Sequence, residues 1–588
     1  MKPGQADVHP VCRVRSGVLC LGLMCGFVLV FCRLFYLQVL QAEEGARQAE
    51  QQIQKTVEVK PVRGMIMDRQ GHPLAMNIEA ASLGVRPPKV QDPHRVARSL
   101  SPLLHESSGR LRGLLTRKAP FVRVAHPIPE PVARKIEALQ LPGLEVEKVQ
   151  QRFYPKGTLG SHILGFAGSE NQGLGGIEYQ YETLLRGHEN LVQFQRDALG
   201  RKFTPAQESP VDRVPAGYNL QLTIDEVVQF IAEEELAAVV RQSEAKSGSI
   251  VMMDPMTGEI LAWALYPTYD PNHYQKFSDS ERLNWTLTNP YEPGSTLKIV
   301  AAAGALQEKV MTPETLIYGN EGQMPIAGTI VHDPAKSSWM TFSEALAQSS
   351  NVGAIKMADA LGAQGFYAYL KAFGFGEKTG VDLPGESPGK LSDPSQWSGR
   401  SLSSIAMGQE ISVTPLQLVS AMSAIANGGH VMKPYVIASV LDQHGAPIQI
   451  NAPQKIQEAI FPETAAMMAQ ILELAVERGT GKRAKLEEYR VAGKTGTAQK
   501  FDKVAGAYSS TSVIVSFLGF APVENPRLTM LVMVNEPHVG KWGGEIAAPV
   551  FKKIAERVLP YWGVLPGGTH FIQTASTILS TDSRAVVQ

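Results

Sequence analysis

The sequence has no excess of charge of either sign and very little cysteine. Lys and Arg together number 56 among 588 residues, and Asp and Glu also number 56. Proteins that bind nucleic-acid phosphates usually carry a basic excess, so we expect no nucleic-acid partner. The four cysteines are too few for a disulfide scaffold, and all lie between Cys12 and Cys32. Their absence beyond that point fits an oxidising compartment and equally fits chance.

The sequence also has only one long hydrophobic run, which argues against a multi-pass transporter or sensor. Ser16–Cys32 contains no charged residue, and the apolar character resumes after Arg33 as far as Leu40. A membrane-spanning helix needs about 20 such residues. Flanking charge places the N-terminus in the cytoplasm and the rest of the chain outside. The basic residues before the run are Lys2, Arg13 and Arg15, and the acidic residues after it are Glu43, Glu44 and Glu50.

A cleaved signal peptide is the alternative interpretation of this run. Its apolar core would usually have about 7–15 residues, followed by a cleavage site of small residues. The core here is longer, and the following QVLQAEEGA contains no clear site. We therefore expect an uncleaved anchor over residues 17–40, preceded by a cytoplasmic tail of residues 1–16.

The composition beyond the anchor is that of a folded protein, with 44% hydrophobic and 19% charged residues, which argues against a mostly disordered chain. Residues 41–56 are polar and predict a helical stalk. Val59–Ala75 predicts two strands around a turn, and residues 92–138 predict helices with breaks. The region 41–215 has no catalytic cluster, so we interpret it as a spacer or docking domain.

Residues 216–563 are the predicted catalytic domain, and residues 564–588 a polar tail. The predicted strands are Leu220–Ile224, Ser249–Asp254, Glu259–Ala264, Tyr489–Ala492, Thr511–Phe520 and Leu528–Asn535. Asp225 is predicted to cap the helix after the first strand, and Pro549 to begin a helix that ends at Leu559. Strands at both ends with helices between them predict an α+β fold, in which one antiparallel sheet carries an inserted helical subdomain.

The first candidate catalytic motif is Ser295-Thr296-Leu297-Lys298, which opens a nearly all-apolar helix. Such a helix should be buried, and residues three apart share one helix face. A serine hydroxyl needs a neighbouring base, and a desolvated lysine can supply one. The first turn also offers free N–H groups to a developing oxyanion. Two other Ser-x-x-Lys matches, at Ser243 and Ser387, lie in polar or Pro/Gly-rich segments.

The second motif is Ser349-Ser350-Asn351, which follows a helix started by a capping box at Thr341–Glu344. This position at a helix–helix junction allows the hydroxyl to relay a proton and the amide to hold a substrate amide. A polar helix end is the alternative interpretation. Ser169-Glu170-Asn171 matches the same pattern in an ordinary loop.

The third motif is Lys494-Thr495-Gly496-Thr497, which we place on a strand edge that could hold a substrate carboxylate. Gly496 would leave room for a ligand backbone, and the Thr497 N–H could be a second oxyanion donor. Lys378-Thr379-Gly380 is a similar triplet without a preceding strand pattern. Neither Lys-Thr has the Gly-x4-Gly spacing of a phosphate-binding loop. No histidine is needed, and we expect His162 and His332 to be structural.

Together the three motifs resemble the set found in active-site serine penicillin-recognising enzymes. Further segments make the chain similar to class B penicillin-binding proteins: Arg63–Gly71, Arg152–Pro155, His162–Gly165, Gly175–Glu178, Glu292–Ser295, Val413–Leu418 and Ala547–Phe551. The size, single anchor and compact N-terminal domain most resemble the septal, division-specific D,D-transpeptidase. The elongation-specific relative is the close alternative.

This resemblance implies a penicillin-binding transpeptidase domain, a mixed α/β pedestal of the dimerisation type over residues 41–215, and one transmembrane helix. It implies that Ser295 attacks the D-Ala–D-Ala bond of a stem pentapeptide, releases D-Ala, and passes the acyl group to an amine on a neighbouring stem. It further assigns Lys298 as general base, Ser349 as proton relay and Asn351 as anchor for the substrate amide. The implied carboxylate binders are Lys494 and Thr495, beside Gly496 and Thr497.

By the same resemblance, β-lactams are covalent inhibitors, and no metal or cofactor is needed. The expected location is the bacterial inner membrane at the division site, with the catalytic domain in the periplasm. The expected partners are a polytopic membrane protein that polymerises glycan and other division proteins. Two positions depart from the family pattern: Ile299 stands where Pro is common, and Glu410 where many relatives have Gly.

Two other function classes stay open from sequence alone. A β-lactamase or carboxypeptidase would use the same motifs with water in place of the amine, although a hydrolase needs no pedestal. A β-lactam sensor would need a cytoplasmic effector, for which the segment before the membrane is too short. A division scaffold would not need all three motifs.

Overall fold

The computed structural model describes residues 10–44, 47, 54–59, 61–187, 190–196, 202–203, 216–502 and 506–566. Contacts within the chain divide it into two units. The first comprises residues 1–62 and 187–216, and the second residues 63–186 and 217–588. The domain boundaries drawn from the sequence stay predictions.

The first unit contains one long apolar helix, Pro10–Phe35, which continues as a π-helical turn over Tyr36–Leu40. Its segment Val14–Leu40 is long and apolar enough to cross a membrane, and its side chains are exposed. An apolar surface of this length that is not covered by protein fits a lipid environment.

The first unit also contains a three-stranded sheet. Its strands, in spatial order, are Gln54–Val59, Asn190–Arg196 and Lys202–Phe203, and neighbouring strands are antiparallel. The predicted stalk over residues 41–56 lies mostly outside the described residues. Residues 54–56 belong to a strand, so the helical prediction is wrong there.

Residues 63–186 of the second unit are mixed α/β. The strands are β1 (Ile66–Met67), β2 (Pro73–Val85), β3 (Val122–Pro129) and β4 (Leu144–Phe153). The helices are α1 (Pro93–Leu104), α2 (Ser108–Leu115), α3 (Glu130–Ala138), α4 (Ser161–Leu164), α5 (Gly176–Gln180) and α6 (Glu182–Arg186). The predicted pair of strands around a turn is confirmed by the antiparallel pairing of β1 with β2.

One sequence prediction in this region is wrong. Residues 122–129 were expected to be helical, but they form β3, which pairs antiparallel with β2. Val122, Val124 and Ile128 are β-branched, and Val122 and Ile128 are buried. Pairing with a long neighbouring strand therefore decides the local structure here, and short stretches of this kind are ambiguous in sequence.

Residues 217–566 contain the larger part of the second unit. The strands are β5 (Asn219–Leu222), β6 (Ser247–Met253), β7 (Ile260–Tyr266), β8 (Leu316–Tyr318), β9 (Gln323–Ile326), β10 (Thr329–His332), β11 (Trp339–Thr341), β12 (His430–Met432), β13 (Ile437–Leu441), β14 (Pro447–Ile450), β15 (Lys455–Glu458), β16 (Ala492–Asp502), β17 (Ala507–Ala521) and β18 (Leu528–Asn535). The helices are α7 (Glu226–Gln242), α8 (Asp279–Arg282), α9 (Trp285–Thr288), α10 (Lys298–Gln307), α11 (Phe342–Ala347), α12 (Asn351–Ala372), α13 (Ser401–Ala406), α14 (Pro415–Ala426), α15 (Pro462–Glu477) and α16 (Gly543–Tyr561).

The sheet that positions the site has five antiparallel strands in the order β7-β6-β18-β17-β16. Early and late strands of the chain therefore lie side by side, as the sequence predicted. Helices α7 and α16 pack on one face, where they contact residues such as Ile250 and Val532. Helices α10 and α14 belong to the core on the opposite face, with Val251 and Leu531. The predicted α+β architecture is confirmed.

Helix boundaries follow capping chemistry where the sequence contains it. The Asp225 carboxylate accepts hydrogen bonds from the first-turn N–H groups of α7, as predicted. Thr414 and Gln417 form a capping box at α14, with Pro415 as its first residue. A second sheet of seven strands, in the order β14-β13-β5-β1-β2-β3 with β4 also paired to β2, joins the two parts of the second unit.

Two boundaries near the C-terminus differ from prediction. Tyr489–Ala492 is predicted to be a strand, but only Ala492 belongs to β16. The Tyr489 side chain contacts the C-terminal segment, where its hydroxyl donates to the Val564 carbonyl (2.7 Å). Helix α16 begins at Gly543, so Pro549 lies inside it and does not start it. Pro549 has no N–H to donate to the carbonyl of Glu545, four residues before it in the helix. Arg483 Nη1 donates to that carbonyl instead (3.4 Å).

Candidate active site

Ser295 lies in a 3₁₀ turn, Gly294–Leu297, that leads directly into α10. Every residue of α10 from Lys298 to Leu306 is buried, as its apolar sequence predicted. Gly294 has φ +58°, and a Cβ there would approach Ala498 to within 3.1 Å. This position therefore needs glycine, and the tight turn presents Ser295 to a cleft of about 770 Å³.

Ser349 and Asn351 lie at the junction between α11 and α12. The predicted capping box of Thr341 and Glu344 begins α11. Ser349 then adopts a left-handed conformation with φ +63°, which ends that helix and starts the turn into α12. Both side chains line the same cleft as Ser295. The junction predicted from the sequence is thus present, and it lines the same cleft as the Ser295 motif.

Lys298 is buried beneath this junction, where its ammonium makes three polar contacts. Its Nζ donates to the Ser349 carbonyl (2.7 Å) and to Asn351 Oδ1 (2.7 Å), and it lies 3.5 Å from Ser349 Oγ. Burial lowers the pKa of Lys298 to about 7, and the charge of Asp333 opposes that shift. A lysine with this pKa is partly neutral near neutral pH and can accept a proton.

Lys494 approaches Ser349 from the opposite side, on strand β16. Its side chain is fully buried, and its Nζ donates to Ser349 Oγ (2.6 Å) and to the Thr495 carbonyl (3.2 Å). Burial, together with the charge of Lys298, lowers the pKa of Lys494 well below its usual value. The Ser349 hydroxyl therefore lies between two lysine amines, an arrangement that can move a proton between them.

Thr495, Gly496 and Thr497 follow on β16, which is an edge strand that pairs only with β17 in the part of the chain that the structure describes. Thr495 Oγ1 lies 2.6 Å from Thr480 Oγ1, and both residues line the cleft with Thr497. A Cβ at Gly496 would lie 2.4 Å from Ser516 Oγ and 2.9 Å from Thr296 Cγ2. The space left by this glycine is therefore filled by protein, and it allows β16 to pack against the Ser295 turn.

Asp333 was not singled out in the sequence, although it organises the Ser349–Asn351 junction. Its carboxylate accepts hydrogen bonds from Ser350 Oγ (2.6 Å), the Val352 N–H (3.0 Å) and the Asn351 N–H. A carboxylate at the start of α12 also suits the helix dipole. Asp333 lies 18 residues before Asn351 in the chain, in a loop with no periodic pattern, so no sequence signal placed it here.

The two histidines expected to be structural lie in different places. His332 lines the cleft, and its carbonyl accepts a hydrogen bond from Asn351 Nδ2 (2.6 Å). His162 is buried away from the cleft, and burial lowers its pKa to about 4. The alternative motif residues Ser243, Ser387 and Lys378 do not line the cleft, so only one copy of each motif is assembled there.

Glu410, one of the two family departures, lies at the rim of this site in a left-handed conformation with φ +59°. Glycine would adopt this conformation more readily. The Glu410 N–H donates to Glu292 Oε1 (3.0 Å), which also accepts a hydrogen bond from the Tyr508 hydroxyl (3.2 Å). Burial raises the pKa of Glu292, and the Glu410 charge adds to this shift, while the two hydrogen bonds oppose it.

Comparisons with known proteins agree over most of the chain. Residues 248–556 match the family described as penicillin binding protein transpeptidase domain, and residues 58–222 match the penicillin-binding protein dimerisation domain. Stage V sporulation protein D of Bacillus subtilis is 35% identical, over 92% of this chain and 84% of its own length. Peptidoglycan D,D-transpeptidase FtsI of Escherichia coli K12 is 30% identical, over 94% of this chain and 92% of its own length.

Solved structures show the same similarity. Penicillin binding protein 3 of Mycobacterium tuberculosis, complexed with aztreonam, superposes with a TM-score of 0.69 at 27% sequence identity. The alignment covers 87% of this chain and 98% of that chain.

Proposed function

Because the chain belongs to the class B penicillin-binding proteins and is a peptidoglycan D,D-transpeptidase of the serine acyl-enzyme type, we propose that Ser295 is its nucleophile. The observation that supports this most directly is the convergence of Lys298 and Lys494 on Ser349 in the cleft that Ser295 lines. Among the described residues, only this serine of a Ser-x-x-Lys motif meets the other two motifs.

The proposed reaction begins with attack of Ser295 Oγ on the carbonyl carbon of the D-Ala–D-Ala peptide bond. Neutral Lys298 takes the hydroxyl proton as the new C–O bond forms. The Ser295 and Thr497 N–H groups donate to the oxyanion. Ser349, held between the two lysines, delivers a proton to the departing amine, so D-Ala leaves as the C–N bond breaks.

The second half of the proposed reaction runs these steps in reverse with a new amine. The amine of a neighbouring stem attacks the acyl ester, its proton passes to the Lys298–Ser349 pair, and Ser295 leaves with a proton restored. Asn351 would hold the amide of the bound stem, and Thr495 its terminal carboxylate. Water in place of the amine would give hydrolysis, and sustained nitrocefin turnover without a stable adduct would favour that alternative.

Covalent labelling of the purified full-length chain tests the assignment of Ser295. We expect a fluorescent penam to acylate the wild-type protein at one site, which peptide mass spectrometry locates at Ser295. Ser295→Ala should show no adduct, whereas Ser387→Ala, which removes the serine of an unassembled motif, should label like wild type. Labelling of Ser295→Ala at wild-type rate would refute the assignment.

We further propose that the enzyme works at the division septum. The support is its similarity to FtsI together with its size, its single anchor and its compact N-terminal domain. Wall elongation is the alternative. The proposed topology places residues 1–16 in the cytoplasm and the catalytic domain in the periplasm, as the flanking charges suggest. The proposed partners are a polytopic glycan-polymerising membrane protein and other division proteins.

Depletion of the protein in growing cells separates these two roles. Loss of a septal enzyme should block division while growth continues, and the cells should become filaments with a tagged copy at mid-cell. Loss of an elongation enzyme should give round cells with the tagged copy along the side wall. A Ser295→Ala copy that restores normal shape would contradict both roles and favour a scaffold.

A further inference from the structure

Helix α7 carries a second apolar stripe in addition to the one that it buries. Its buried side chains, among them Ile231 and Leu236, belong to the core on one face of the five-stranded sheet. Val227 and Phe230 are instead 38% and 55% exposed. Ala237 follows Phe230 by seven residues, so the three side chains share one face of the helix. This face is apolar although it does not contribute to the core.

The exposed stripe forms one wall of a groove of about 720 Å³. Leu159 lines the groove from the part of the second unit that precedes residue 187, and Leu265 and Tyr266 line it from the end of β7. The groove shares no lining residue with the cleft of Ser295. Exposed apolar side chains that line a groove are typical of a surface that binds another protein.

Glu233 lines the same groove, and its carboxylate has no counter-ion. Its Oε1 accepts hydrogen bonds from the Gly160 N–H (2.7 Å) and from Gln229 Nε2 (2.8 Å). Among the described residues it forms no ion pair with a lysine, arginine or histidine. Burial raises the pKa of Glu233 to about 7, and both hydrogen bonds oppose this shift. A largely buried carboxylate without a counter-ion is unfavourable, so a cation that enters the groove would be stabilised there.

The other charged groups of the groove do not supply this cation. Lys156 pairs with Glu226 (2.6 Å). Glu234 is exposed and pairs with Arg557 (2.7 Å). Arg241 lines the groove two helical turns beyond the unpaired carboxylate, about 12 Å along the helix axis. The missing positive charge therefore has to come from another molecule.

We propose that this groove binds a helix of another protein, which carries an apolar stripe and, within that stripe, one lysine or arginine that pairs with Glu233. The spacing of Val227, Phe230 and Ala237 is that of a seam between two packed helices. The bound helix would match the groove in both apolar surface and charge. It would also contact both parts of the second unit at once, because Leu159 and α7 belong to different parts.

Photo-crosslinking in growing cells tests this proposal on the full-length chain. Phe230 is replaced by p-benzoylphenylalanine, an aromatic residue that on irradiation bonds covalently to groups in contact with it. We expect a crosslink to one other protein, at a segment that mass spectrometry identifies. That segment should have apolar residues at intervals of three and four and a lysine or arginine among them. The same replacement at Phe461, which is 58% exposed and outside the groove, should not give this product.

Two further changes test the role of the charge. Glu233→Gln keeps an oxygen acceptor for the Gly160 N–H, and it should lower the yield of the Phe230 crosslink about tenfold, because an interfacial charge pair is lost. Glu234→Gln is the matched control, because Arg557 already neutralises that carboxylate, and the yield should stay unchanged. If Glu233→Gln lowers the melting temperature, Ala237→Arg is measured instead. It fills the groove from the same helix face and should also lower the yield.

Each contrary result would overturn a stated part of the proposal. A crosslink from Phe230 no stronger than that from Phe461 would overturn the docking site. A crosslink to a second copy of this chain would overturn the proposed partner and indicate a homodimer. A crosslinked segment without a basic residue would overturn the role of Glu233, and so would an equal yield in Glu233→Gln and wild type. None of these results depends on acylation of Ser295, so the proposed function is tested separately.

Discussion

Replacing Lys298 by Met is expected to slow acylation of Ser295 by about 10²–10⁴-fold, the usual contribution of a general base. Methionine has a similar length and suits a fully buried site, so the fold should persist. The change removes the lysine amine that stands three residues after Ser295, at the start of α10, and it leaves Lys494 in place. The measurement is the rate of adduct formation with a penam at saturating concentration. Lys390→Met, which removes the lysine of an unassembled Ser-x-x-Lys motif, is the matched control.

The pH dependence of the same reaction gives an independent check on Lys298. The base must be neutral to accept the Ser295 proton, so the acylation rate should rise with pH around the Lys298 pKa of about 7 and then level off. Protonation below that pH removes the base, which fixes the sign of the change. The Lys298→Met variant should lose this inflection. A variant that keeps both the wild-type rate and the inflection would show that another group is the base.

Replacing Glu178 by Ala is expected to destabilise the protein by about 3–5 kcal/mol, the typical effect of removing one partner from a buried ion pair. Glu178 is fully buried, and its carboxylate contacts Arg63 Nη2 (2.5 Å) and Arg152 Nε (2.5 Å). Burial alone would raise the pKa of Glu178, but the charges of Arg152 and Arg63 outweigh burial and leave it lowered. Without this carboxylate, Arg152 loses the one ion-pair partner that it has among the described residues.

The measurement for Glu178 is the thermal unfolding transition of the purified protein, followed together with penam binding. Glu145→Ala is the matched control, because it removes the partner of Arg86 from a pair whose side chains are 47% and 46% exposed. Exposed pairs contribute about 0–1 kcal/mol, so this control should change little. An equal shift in both variants would show that the buried network does not stabilise this part of the protein.

The consequence of losing Glu178 should extend beyond stability. Arg152 also donates to the Gly64 carbonyl (2.7 Å), and Tyr154 donates to the Glu178 carboxylate (3.2 Å). The network thus joins three separate segments of residues 63–186. Because Arg152 stands on β4, which belongs to the same sheet as β5 and β13, we expect the variant to lose penam acylation on heating earlier than wild type.

Some features of the active site were predictable because their physical causes are local. A serine and a lysine three residues apart at the start of an apolar helix must share a face and be drawn inward together. The capping boxes at Thr341 and Thr414 depend only on side chains that reach their own backbone. The sharing of one antiparallel sheet by early and late strands was also predictable, since strands at both ends of a domain with helices between them favour that arrangement.

Other features were decided by contacts between distant parts of the chain. Strand β3 and the start of α16 depend on the neighbours that satisfy their backbone groups, and no local pattern specifies those neighbours. Thr480 lies 15 residues before Thr495, and Asp333 lies 18 residues before Asn351. Both lie in irregular loops, where spacing carries no information about which side chains meet.

The sequence by itself determined where the three motifs stand, at the start of a buried helix, at a helix junction and on a strand, because helix periodicity, capping and burial act within a few residues. Only the tertiary structure decided that Lys494 is sealed beneath Ser349, that Asp333 holds the second motif, and that Thr480 stands beside Thr495 at the cleft surface. Desolvation, charge and hydrogen-bond distance depend on every segment packed around a group, and those segments meet only when the chain is folded.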